Sequence, residues 1–158
     1  MIVYRITTAK WADKLSGSGS PARWNPRHVQ VIYTASSIAL ACLENLVHRS
    51  GEGLNLNFRL VEILIPDDMA FDSINIADLP ENWHKTEGYP ACQVIGKEWV
   101  DQNETCILQV PSSIIPDESN ILINPGHPDF YKISIQSIRN FSFDERLIDS
   151  DSNDISIT

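Results

Sequence analysis

The segment Phe58-Arg-Leu-Val-Glu-Ile-Leu-Ile65 is apolar on both of its alternating faces. A strand of that kind is stable only where other structure covers each face. Pro66 stops it, because proline has no amide proton to give a ladder. The chain must therefore fold in layers around a sheet. Its 158 residues suit one domain with one core. A chain of that size buries about 68–70% of its unfolded surface and needs no disulfide or structural metal.

The remaining segments supply the layers. Residues 2–6 predict a short strand, and Val29-Gln-Val-Ile-Tyr-Thr34 a second, β-branched and aromatic one. Ser36 or Ser37 can cap a helix running to Arg49, with Gly51 as its stop. Ala39, Leu40, Leu43, Leu46 and Val47 form its apolar stripe, and Glu44 lies at the edge of that stripe. Residues 78–90 predict a loop, and Pro90 opens a helix through Val100 in which Val94, Ile95 and Trp99 cluster. Thr105–Val110, Ile121–Ile123 and Ile133–Phe143 have strand composition, and Ser16–Pro21 is a Gly/Ser-rich flexible loop. Helices and strands interleave without a strict βαβ rhythm, which predicts an α+β fold with a mixed β core and flanking helices.

Twelve Lys and Arg against twenty-one Asp and Glu leave a net charge of −9. That field opposes non-specific attraction to a phosphate backbone and argues against direct nucleic-acid binding. An anionic ligand then has to be held by a few placed arginines. The acidic residues 144–158 offer little to bury and predict a solvated, flexible tail after a domain of residues 1–143. Cys42, Cys92 and Cys106 are odd in number and lie in apolar stretches, so they read as small buried hydrophobes. With no signal-peptide pattern and no membrane-length apolar run, a reducing cytoplasm is expected.

The common phosphate-loop, dinucleotide, zinc-protease and serine-hydrolase motifs are absent. His127 and Asp129 read as turn formers, and no metal site is expected. Four polar residues stand in apolar or strand-like surroundings: Arg23 beside Trp24, Tyr33 at a strand end, Glu44 on the helix border, and Ser112 after Pro111. Singly, each has a structural explanation: Arg23 stacked on Trp24, Tyr33 in the core, Glu44 paired with His48, Ser112 capping a turn.

Taken in order, the strings Ala22-Arg-Trp-Asn-Pro26, Val31-Ile-Tyr-Thr-Ala-Ser36 and Ala39-Leu-Ala-Cys-Leu-Glu44 resemble the signature of the RES domain family. Gln93-Val-Ile-Gly96 with Trp99, Val110-Pro-Ser112, and Asn120–Pro125 running into His127-Pro-Asp-Phe130 extend the likeness over about residues 3–135. Pro21-Ala22 and Arg27-His28 stand where the family usually carries glycines. The resemblance implies an ADP-ribosyltransferase fold of the diphtheria-toxin type. It also implies the toxin of a type II toxin–antitoxin pair, which cleaves the nicotinamide–ribose bond of its substrate NAD+ as a glycohydrolase or phosphorylase, with water, phosphate or a protein as acceptor, and uses no true cofactor. Its partner would be an Xre-type helix-turn-helix antitoxin, with a homodimer within the complex compatible with the family. Arg23, Tyr33, Glu44 and Ser112 fall on the family's active-site positions, with Arg23, Tyr33 and Ser112 implied to bind the dinucleotide. A protein-modifying ADP-ribosyltransferase and a catalytically silent interaction module are the alternatives. For Ser112, orientation of Glu44 is favoured over nucleophilic attack, because no histidine is tied to it and an unactivated serine is a weak nucleophile.

Overall fold

The doubly apolar segment becomes β3 (Phe58–Leu64), held between β1 (Ile2–Thr8) and β7 (Ser134–Phe141). The structure, a computed structural model, describes residues 1–50 and 53–148. With β2 (Ile32–Ala35), β4 (Phe71–Ser73), β5 (Ile107–Pro111) and β6 (Ser119–Ile123) these strands form one seven-stranded sheet in the order β4-β5-β6-β2-β1-β3-β7. Among the described residues only the β4–β5 pair is parallel. Helices α1 (Ile38–His48) and α2 (Tyr89–Gln102) complete the α+β arrangement predicted from the sequence.

Side-chain alternation sorts the core into layers. Phe58 and Leu60 of β3 pack with Ile6, Ala35, Leu40 and Ala41 beneath α1. On the same sheet face, Leu108, Val110 and Leu122 pack with Trp24, Cys92 and Trp99 beneath α2. The opposite face gathers Val3, Ile32, Val61, Ile63, Ile121 and Ile123 and is closed by residues such as Ala12, Met69 and Phe130. The register of β3 with β7 shifts between Glu62 and Ile63, where β7 carries one extra residue, Gln136.

Several boundaries differ from the sequence reading. The segment from Val29 is not yet strand, because Val29 N bonds back to Pro26 O and His28 has φ 71, so the chain is still turning before Ile32. On α1, Ala39 and Val47 are exposed while Ala41 is buried, so the covered face is rotated from the predicted stripe. On α2, Val94 is 56% exposed, whereas Trp99 is buried as expected and is joined inside by Cys92 and Gly96. Strand β4 carries the exposed Phe71 and has no periodicity over its three residues. Cys42 is half-buried, unlike Cys92 and Cys106.

His127 does form a turn: its Nδ1 accepts from Asp129 N at 3.0 Å. No group of metal-ligating side chains able to hold an ion occurs among the described residues, and no helix there is long and apolar enough to cross a membrane. Residues 144–148 form a short 3-10 turn with Ile148 against the α1 cluster. The rest of the predicted tail, and Gly51, lie outside the described residues.

One irregularity positions the site. Strand β1 pairs with β3 at seven positions but with β2 only at Tyr4↔Ala35. Beyond that pair a hollow lies between the two strands, lined by successive residues of both.

Candidate active site

Helix α1 starts at Ser37, whose hydroxyl accepts from Leu40 N at 3.1 Å and so satisfies one of the free amides of the first turn. This seats the helix across β1 and β2 with Glu44 turned toward β6. Glu44 Oε1 accepts from Asn120 Nδ2 at 2.7 Å and from Ser112 Oγ at 3.1 Å, while Oε2 lies 3.5 Å from His48 Nε2. Burial pushes the Glu44 carboxyl up, but the bonds from His48, Asn120 and Ser112 outweigh it and hold the group below the usual glutamate range. It is therefore a carboxylate at neutral pH, with 19% of the side chain exposed.

Ser112 is fully buried. Its hydroxyl donates to Glu44 and accepts from Ile114 N and Ile115 N, each at 3.1 Å. It caps the turn after β5 and steadies the carboxylate together. Ser112 itself lines neither hollow; Glu44, which it bonds, lines both.

Arg23 is delivered by a segment locked on three sides. Gly96 of α2 packs directly on the backbone of Trp24, so closely that a Cβ there would sit 1.7 Å from Trp24 O. Gln93, one turn earlier, donates to Ala22 O at 2.8 Å. Buried Asn25 donates to the carbonyls of Ser20, Pro26 and Val29 and accepts from the Tyr33 hydroxyl at 2.6 Å, which itself accepts from Trp24 N at 3.2 Å. Tyr33 is thus fixed at its hydroxyl, and burial raises the phenol well above its ordinary range, leaving a neutral ring as its working surface.

The Arg23 guanidinium donates to the carbonyls of Trp83, His84 (3.0 Å) and Lys85 (3.1 Å). It stacks 4.4 Å from the Tyr89 ring centroid, where the sequence suggested Trp24. No carboxylate pairs with it among the described residues, so its charge is held but not neutralised.

Arg23, Tyr33 and Glu44 line one hollow of about 250 Å³, closed by Tyr89, His48 and Asn120. A second of about 300 Å³ fills the opening between β1 and β2 and carries Arg5 and Arg49. Tyr33, Glu44, His48 and Asn120 belong to both. Arg5 is held by a bond from Nη1 to Ser16 O at 3.2 Å. Sequence reasoning missed Arg5, and it assigned no part to Asn120, Gln93 or Gly96 although all three lie in the strings that carry the family likeness. Arg5 gave no signal, being one polar residue in an alternating strand.

A mixed sheet parts between two strands here, and a carboxylate, a guanidinium and a tyrosine gather at the opening of an α+β protein. The RES domain profile matches residues 2–144, and the chain belongs to that family and stands among its toxins. It is 43% identical over 146 residues to the Prs ADP-ribosylating toxin of Sphingobium sp. (strain YBL2), covering 87% of this chain and 88% of that one. It is 35% identical over 153 residues to Toxin Res of Photorhabdus laumondii, covering 94% and 97%. Among solved structures, the M. tuberculosis MbcT-MbcA toxin-antitoxin complex contains a chain of the same fold, with TM-score 0.72, 19% identity and coverage of 89% of this chain and 84% of that one.

Proposed function

We propose that this chain is a toxin that cleaves the bond between nicotinamide and ribose in NAD+. The observation that carries the reading is the ionised Glu44 facing the same hollow as the uncompensated Arg23 and the Tyr33 ring. In this reaction the electron pair of the C1′–nitrogen bond passes to the pyridinium nitrogen, and nicotinamide leaves as a neutral molecule. No general acid is required, so one carboxylate suffices where glycoside hydrolases use two.

Glu44 accepts from the ribose hydroxyl and stabilises positive charge growing at C1′, an interaction stronger in the transition state than in the ground state. Arg23 and the cations of the second hollow, Arg5 and Arg49, hold the pyrophosphate against the repulsion of a chain with net charge −9. Tyr33 offers its ring face to the pyridinium. Water adds to C1′ and gives its proton to solvent, yielding ADP-ribose.

A second reading has its own support, because the 43% identical relative is named an ADP-ribosylating toxin. In that case a protein side chain replaces water as the acceptor. Incubation with NAD+ labelled in the adenylate half separates the two. Free labelled ADP-ribose is expected, whereas label retained on a target protein establishes transfer, and no nicotinamide release under either condition removes both.

An antitoxin partner follows from the same reading, since unrestrained loss of NAD+ is lethal and a similar fold is found in a toxin-antitoxin complex. The partner is proposed to be of the Xre helix-turn-helix type, to carry the DNA binding that a net charge of −9 opposes in this chain, and to cover the hollows.

A further inference from the structure

Asn120 lies in β6 with its backbone fixed by ladders to Ala35 and Val110 on either side. Its side chain shares the helix-bearing face with Leu122 and donates through Nδ2 to Glu44 Oε1 at 2.7 Å. A carboxylate only accepts, so the amide nitrogen must be the atom that faces it, and the amide oxygen is directed elsewhere. Among the described residues no donor reaches that Oδ1, although Asn120 lines both hollows.

Glu44 shows the complementary division. Its Oε1 is taken by two donors, whereas Oε2 has only the long 3.5 Å approach of a half-exposed His48. Two neighbouring side chains thus each present one acceptor at the rim where the hollows meet. A ligand with two adjacent donors fits such a pair, and the vicinal hydroxyls of a ribose are of that kind.

We infer that Asn120 is a substrate-binding residue: its Oδ1 accepts from the 3′-hydroxyl of the nicotinamide ribose while Glu44 Oε2 accepts from the 2′-hydroxyl, so that the site reads a cis-diol. This inference rests on the NAD+ reading above.

The test compares NAD+ with an analogue lacking the 3′-hydroxyl on the nicotinamide ribose. The unaltered chain should prefer NAD+ by about 10-fold in kcat/KM, the scale of one hydrogen bond to a polar group. Asn120→Ala should bring that preference close to one. Ser112→Ala, which removes the other donor to Oε1, should slow both substrates and keep the preference. Asn120→Ser, read in the same way, stands in should Asn120→Ala fail to fold. An undiminished preference in the folded Asn120 variant, or its loss in Ser112→Ala as well, would reduce Asn120 to holding Glu44 and overturn the inference alone. No nicotinamide released from NAD+ by the unaltered chain overturns the functional reading and this inference with it.

Discussion

Glu44 has one oxygen committed and one available, and its donors decide both its posture and its charge. Its folded pKa is lowered, so the stabilisation from its contacts is present above the unfolded carboxyl value of about 4.3 and is lost as pH falls through the folded value. Ser112→Ala removes a lowering contact. The acid limb of the kcat profile should therefore move to higher pH, and an unmoved limb would separate Ser112 from the carboxylate. Arg23→Lys should raise KM for NAD+ and also lower Tm, because a single ammonium can neither grip a phosphate as a fork nor span the carbonyls of the 83–85 segment that Nη1 and Nη2 hold from two separate points. An unchanged KM would take Arg23 out of the phosphate role. The turn cap at Ser112 was legible from its position after Pro111, whereas its contact with Glu44 was expected only from the family resemblance. Arg5 was not legible, since nothing in a strand's alternation tells which polar residue borders an opening in the sheet.

At the level of elements, contact between α2 and the Arg23 segment decides whether the site assembles. Gly96→Ala would drive a Cβ into Trp24 O, which is backbone and cannot yield as a flexible side chain does. The helix or the segment must shift, so a lower Tm and a raised KM for NAD+ are expected together; native values of both would contradict the packing described. His28 holds a left-handed φ of 71, a conformation that favours glycine. His28→Gly should leave Tm unchanged or raised, since glycine adopts that conformation without steric cost. The strands β1, β3, β5, β6 and β7 and both helices were readable from apolar periodicity and proline positions. The faces of α1 and α2 were read incorrectly at Val47 and Val94, because an apolar residue at the right spacing marks a stripe without fixing which edge of it is covered. Strand β4 was invisible, as three exposed residues at a sheet edge have no pattern to read.

For the molecule as a whole, the single pair between β1 and β2 is the feature that turns a sheet into a cleft. No sequence period reports it, because it depends on where β2 stops pairing with β1 and not on what either strand contains. The proposed reading puts the antitoxin over the same cleft. A purified complex with its antitoxin should release nicotinamide far more slowly than the free chain, and undiminished release would reject occlusion of the hollows. The central claim is that one carboxylate, facing Arg23 and Tyr33, carries the chemistry. Nicotinamide release from NAD+ by the free chain and by Glu44→Gln, with equal folding confirmed by Tm, tests it most directly. A fall of about 10²–10³ in turnover is predicted, the usual scale for losing a preorganised electrostatic contact. Full turnover in the Gln variant would contradict the account.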